Sequence, residues 1–355
     1  MSGSATHSVV DLETFGRLIP ALQGRGYEVV GPTVRDGAVV YDTLTCIDDL
    51  PAGWTDIQEP GRYRLERAGD GALFGFHCGP QSWKKFLHPA NLALFNSGPV
   101  PKYALLGLRP CELAAIRLLD RVLMEDRYPD TIYAARRREA LILVAQCSAP
   151  SGVCFCESMK TGPRAGTGFD VAITELAGNG RHDFILESGS ERGAEIIAGL
   201  GTGDRREIHP PEPVPQTKTV DTSGLHDLLI EKFEHPRWDD VARRCLCCGN
   251  CTMVCPTCFC TTVEDSSDIT GAQTARVRKW DSCFTLAFSY IHGGSVRASA
   301  KSRYRQWLTH KFAYWIDQFG SFGCVGCGRC ITWCPAAIDV TEELRAIREN
   351  HNGNT

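Results

Sequence analysis

No stretch of this sequence approaches the roughly 18 consecutive apolar residues that a membrane-spanning helix requires, and runs such as 140–145 read instead as buried strands. The chain is therefore expected not to cross a bilayer. Residues 1–13 lack a basic region followed by an apolar core, which argues against a secretory signal and for the cytoplasm. Charge of one sign is missing too. With 38 Lys and Arg against 42 Asp and Glu, the formal charge of −4 makes no field for nucleic acid or an anionic surface. There is no Gly-rich dinucleotide fingerprint after a strand, no Walker-type loop and no His-Glu-x-x-His, and the ten histidines are scattered. No catalytic residue and no substrate-converting site are expected in this chain.

Cysteine, by contrast, is abundant: eighteen residues, twelve of them between Cys245 and Cys334. Disulfide scaffolds reach such density, but they are short and exported, whereas 355 residues bury a substantial core and need no staples. In a reducing compartment the density points to thiolates bound to metal.

The first 200 residues mix strand and helix signals. Within 29–40 two β runs flank Asp36-Gly37, a pair that accepts the positive φ angles of a tight hairpin, and Phe169–Leu176 and Asp183–Leu186 repeat the signal around Asn179-Gly180. Tyr103–Leu108 reads as a strand, Pro110 opens a helix with Leu113, Ile116, Leu119 and Leu123 on one side, and Leu141–Val144 reads as the next strand. Residues 201–224 are rich in Pro, Gly and polar side chains without apolar period, which marks a linker. A short amphipathic helix with Leu225, Leu228, Leu229 and Phe233 should end before Pro236.

One short motif occurs twice. Cys245-x2-Cys248-x2-Cys251-x3-Cys255-Pro256 and Cys324-x2-Cys327-x2-Cys330-x3-Cys334-Pro335 share the spacing of bacterial dicluster ferredoxins. Three thiolates two residues apart on a tight loop can wrap one face of a cubane, and the fourth iron needs a ligand from elsewhere. In the two-cluster arrangement the last cysteine of each run serves the other cluster. The expected ligands are therefore Cys245, Cys248, Cys251 and Cys334 for cluster one, and Cys324, Cys327, Cys330 and Cys255 for cluster two. Gly249, Gly326 and Gly328 let these loops take unusual φ/ψ. Structural zinc also uses Cys-x2-Cys, but as two pairs with a longer spacer. With all irons held by thiolates, the chemistry is electron transfer.

The expected fold class is thus α+β, with an N-terminal mixed α/β domain over 1–200, a linker over 201–224 and a ferredoxin-like dicluster [4Fe–4S] domain over 225–355. That domain carries a long insert, because 68 residues separate the two runs. Within the insert, Tyr304, Trp307, Leu308, Phe312, Trp315 and Phe319 recur at helical spacing over 301–319 and are expected to pack over the clusters. Trp333, between ligands, is read as a shield against water.

Ten cysteines remain. Cys46 and Cys78 are expected to be buried apolar residues, and Cys247 not to be a ligand. Cys111, Cys147, Cys154 and Cys156 can supply four thiolates to a third cluster or a zinc ion, or else have structural or redox roles. Cys258, Cys260 and Cys283 offer three and need a borrowed ligand; spacing does not choose between the sets. Lys84-Lys85 and Arg136-Arg137-Arg138 read as solvated faces.

The segments LLGLRPCELAAI, GVCFCESMKTGP, RCLCCGNCTMVCPTCFC, WDSC, RYRQW and GCVGCGRCITWCP together resemble the β subunits of cytoplasmic sulfhydrogenases, the NAD(P)-linked [NiFe] hydrogenases. They are similar, less specifically, to the dicluster subunit of anaerobic sulfite reductase. The likeness runs from the Tyr41 region almost to the end of the sequence. It implies an electron-relay subunit of a multi-subunit oxidoreductase, partnered by hydrogenase small and large subunits and by a flavin/NAD(P) subunit. The eight ligands, both Cys-Phe-Cys elements, Cys111, Cys147 and Cys283 match the family pattern; Glu112 departs from it, where Asp is expected. Two further readings are a component of a sulfite- or sulfur-reducing complex and a zinc-stabilised assembly protein.

Overall fold

The computed structural model describes residues 7–349 except 78, 96, 97, 126, 179, 202–211, 213 and 272. The described residues open with strand β1 (His7–Asp11), followed by two hairpins, β2 (Glu28–Arg35) with β3 (Ala38–Thr43) and β4 (Trp54–Glu59) with β5 (Arg62–Arg67). The short β6 (Asn91–Ala93) and then β7 (Tyr103–Leu108) follow. Helices Pro110–Leu123 and Thr131–Glu139 lead to β8 (Leu141–Ala145), and β9 (Val171–Gly178) and β10 (Arg181–Ser188) form a third hairpin. The Asp36-Gly37 turn has φ of 50° and 73°, as the sequence requires; Asn179, in the other predicted turn, lies outside the described residues.

Seven of these strands form one sheet in the order β1-β10-β9-β8-β7-β2-β3, with β2, β7, β8 and β9 parallel and the outer pairs antiparallel. Its central strands are apolar on both faces, so alternate residues enter different cores. Val29, Leu106 and Leu143 meet Phe15, Leu18 and Leu22 on one side. Val30, Leu105 and Ile142 meet Leu113, Ile116 and Leu119 of the Pro110–Leu123 helix on the other.

After 200 the described part of the expected linker contains neither helix nor strand, yet it is fastened down. Lys218 pairs with buried Asp339 at 2.6 Å, and the Val220 N–H donates to Ser158 Oγ. Helix Leu225–Glu231 ends before Pro236, and helix Arg237–Arg244 delivers the chain to Cys245. In the insert, β11 (Thr261–Ser267) and β12 (Thr274–Trp280) form a hairpin whose third strand is β6, from the first half of the chain. Helix Ala300–Thr309 continues through a π-helical turn, His310–Tyr314, into Trp315–Phe319.

The two halves interlock. Val153, Phe155 and Met159 belong to the same core as Trp238, Tyr304, Trp307 and Phe312. The Gly61 N–H donates to the Ile331 carbonyl at 3.1 Å, and Thr332 Oγ1 donates to Gln58 Oε1 at 2.7 Å.

Candidate metal centres

Both cysteine runs fold the same way locally. A glycine at positive φ, Gly249 at 77° or Gly328 at 75°, starts a single helical turn that carries the third cysteine: Cys251 on Asn250–Met253, Cys330 on Arg329–Thr332. The loop before that turn curls the first two cysteines to the same side.

Two cavities lie against these loops. The first, of about 460 Å³, is lined by Cys245, Cys248, Cys251 and Cys334, with Phe284, Tyr304 and Trp307 of the insert. The second, of about 380 Å³, is lined by Cys255, Cys324, Cys327 and Cys330, with Phe155, Trp307, Lys311 and Phe312. Each thus receives three thiols of one run and the last thiol of the other. Cys330 also borders the first cavity and Trp307 borders both, so the two lie side by side. The first reaches the surface, where Cys248 is exposed and Leu246 is 66% exposed.

The donors suit iron. Burial pushes the Cys251 and Cys330 thiols well above the usual range and lifts Cys245 and Cys324 to about 11, so these thiols ionise only beside a compensating cation. Cys255 goes the other way, held low by a hydrogen bond from Cys258 and by the nearby Lys311. Among the described residues no three His, Cys, Asp or Glu side chains converge closely enough for a single ion.

Several residues depart from their predicted surroundings. Lys84 is 3% exposed rather than solvated: its Nζ donates to the carbonyls of Cys255 and Cys258 at 3.1 and 2.9 Å and stands 3.8 Å from the centre of the Trp280 ring. Lys85 Nζ donates to Gln81 Oε1, Arg136 to the Phe86 carbonyl and Arg137 to Asp120, so neither basic run is a simple solvated face. Cys46 is exposed, not buried, because its backbone caps the Ile47–Asp49 turn on the surface. Cys78 lies outside the described residues. Trp333 turns away from both cavities and stacks on Tyr63, ring centres 5.3 Å apart, so it shields neither directly.

Sequence reasoning missed two buried cations, Lys311 and Arg329, and the partners that gather on Glu112. The π-helical turn carries Lys311, whose Nζ donates to Thr257 Oγ1 at 2.9 Å and the Gly323 carbonyl at 3.2 Å. Burial opposes its charge, but the thiols of Cys255, Cys258 and Cys324 hold the proton on. Arg329, between two cysteines of the second run, is fully buried and pairs with Glu112. Glu112 also accepts from Tyr41 Oη at 2.7 Å, Trp83 Nε1 at 2.9 Å and the Arg109 N–H at 3.1 Å. A buried cation announces itself only once its tertiary partners are known.

The remaining cysteines divide. Cys111 and Cys156 share a buried patch with Cys327, Cys147 lines a polar cavity of about 700 Å³ with Arg164 and Glu175, and Cys154 Sγ accepts from the Ser151 N–H. Cys258 is hydrogen-bonded to Cys255, and Cys260 to Cys283, which lowers Cys260 to about 7 and raises Cys283. Cys247, at φ 53°, lines neither cluster cavity and receives a hydrogen bond from Arg303.

Paired thiol cradles beneath a shared aromatic roof define an iron–sulfur protein of the dicluster class, and residues 244–338 match the 4Fe-4S dicluster domain. Across 356 aligned residues the chain is 33% identical to sulfhydrogenase 2 subunit beta of Pyrococcus furiosus, with 97% of each chain covered. The chain belongs to the family of sulfhydrogenase β subunits, and its role is that of an iron–sulfur electron-transfer subunit of an oxidoreductase. No described helix is long and apolar enough to cross a membrane.

Proposed function

We propose that this chain relays electrons between a [NiFe] hydrogenase module and a flavin/NAD(P) module through two [4Fe–4S] clusters. Cys245, Cys248, Cys251 and Cys334 hold one cluster, and Cys324, Cys327, Cys330 and Cys255 hold the other. The observation that carries this reading is the exchange of the last thiol between the two cavities. A cluster held there would supply one-electron transfer. The protein's own part is to hold the two sites edge to edge, exclude water with Phe284, Tyr304, Trp307 and Phe312, and set fixed charge beside the inner site through Lys311 and Lys84. The first site, with exposed Cys248, is the one positioned to exchange electrons with a partner.

The test uses the chain assembled with its co-purifying subunits. Cys327→Ser should abolish H2-dependent reduction of NAD(P) while H2 activation, read with an acceptor that bypasses this chain, persists. NAD(P) reduction surviving the loss of both clusters would sink the relay. Nickel in the purified complex is expected; sirohaem in its place would assign the chain to a sulfite-reducing assembly instead.

A further inference from the structure

Beyond the two cradles, we infer that Cys111, Cys147, Cys154 and Cys156 hold a third iron–sulfur cluster in the N-terminal half, an extension that rests on the relay reading. Its place in the fold is the first argument. β7 and β8 are adjacent parallel strands, and the chain leaves them at Leu108 and Ala145 to reach Cys111 and Cys147 directly. The carboxyl edge of parallel strands is where α/β sheets hold their ligands. Cys111 stands in the first turn of the fourteen-residue helix Pro110–Leu123, where free N–H groups and the helix dipole favour an anionic thiolate or cluster.

The loop after β8 then folds back over this edge. The Cys147 N–H donates to the Pro163 carbonyl at 3.3 Å. A Cβ built on Gly162 would stand 2.8 Å from Cys156 Sγ and 3.7 Å from Pro110 Cβ, so the helix start, the strand end and the Cys-Phe-Cys loop meet around Gly162-Pro163. Cys154 lies two residues from Cys156, with the Ser151 N–H donating to its sulfur at 3.2 Å. Gln216, from the segment joining the halves, donates Nε2 to Cys156 Sγ at 2.9 Å, the kind of N–H to sulfur bond that orients and tunes a cluster ligand. The polar cavity lined by Cys147 and Arg164 opens this edge to solvent. All four donors are thiols, the soft ligands that iron–sulfur clusters take.

The site also has a reason to be there. The Phe155 N–H donates to the Gly326 carbonyl at 2.8 Å, which clamps the Cys-Phe-Cys loop onto the second cysteine run. Cys111 and Cys156 pack in the same buried patch as Val325 and Cys327. A cluster here would therefore adjoin the inner cradle and lengthen the relay to three centres in line, each reduced by one electron and reoxidised as it passes that electron on. Cys258, Cys260 and Cys283 offer no comparable frame, since one is paired with the ligand Cys255 and the other two with each other.

The experiment is iron and acid-labile sulfide counting on the anaerobically purified full chain, with EPR of its reduced form. The wild type should hold about twelve irons, and Cys111→Ser/Cys154→Ser about four fewer with the spectra of the other two clusters retained. Cys260→Ser/Cys283→Ser should leave the count unchanged. A wild-type count of about eight overturns the third site and leaves the two-cluster relay standing, and that count needs no variant to fold. Iron lost with the Cys260→Ser/Cys283→Ser variant instead of the first pair also overturns it, whereas a chain without iron overturns both readings.

Discussion

A buried histidine, His88, and a half-buried one, His310, flank the iron–sulfur region, and both are kept neutral. Burial, then the Arg278 and Lys84 charges, pushes His88 down to about 3. Burial, then Lys311 and Arg297, pushes His310 down to about 4. Their folded values lie below the usual 6.5, so from about pH 6.5 downward the unfolded chain binds protons that the folded chain refuses. Stability should therefore fall on acidification from pH 6.5 towards 4.5, by up to about 2 kcal/mol per histidine, and His88→Asn should flatten the slope of midpoint against pH. An unchanged slope would mean that His88 gains no such protection from burial. At this scale the legible residues were those whose meaning lies in spacing, the eight thiols. Lys84 looked like a solvated lysine because nothing local records that the carbonyls of Cys255 and Cys258 will come to it.

Among the elements, the second cysteine loop depends most on its backbone. Gly328 sits at φ +75°, and a Cβ there would stand 2.6 Å from both the Val153 side chain and its carbonyl oxygen. Gly328→Ala should cost about 1–2 kcal/mol for the left-handed conformation alone. It should also pry the Cys-Phe-Cys loop off the run and lower the iron content, with the inner cluster lost before the outer one. Metal content and melting temperature of the purified variant measure both. The sequence anticipated glycine freedom here and a helix over 301–319, and both correspond to what folds. The π-helical turn at His310–Tyr314 was not visible, because apolar spacing reads nearly alike through one widened turn while the shift in register that brings Lys311 inward depends on tertiary contacts.

The molecule as a whole is fastened through the Arg329–Glu112 pair, which joins the inner cysteine loop to the start of the Pro110–Leu123 helix. Removing one partner strands a buried charge, so Arg329→Met or Glu112→Leu alone should each destabilise by about 3–5 kcal/mol. The double variant should recover much of that loss, since it leaves neither charge unpaired; denaturant midpoints of the three variants give the coupling. A double variant as damaged as the sum of the singles would mean the two residues act separately. Composition marked 201–224 as a linker, but it carried no sign that Val153 and Phe155 enter the later core or that β6 completes the insert's sheet. Such pairings arise between segments far apart in the chain, where short-range pattern is silent. They also set the order of events during synthesis. Glu112, Gly79 and Gln58 leave the ribosome long before their partners, which lie 217, 250 and 274 residues further along. The nascent first half must therefore wait with these polar groups uncovered, and closing such distant contacts is slow. This chain should accordingly lean on holding chaperones during translation, and it should refold sluggishly from denaturant even when iron and sulfide are supplied.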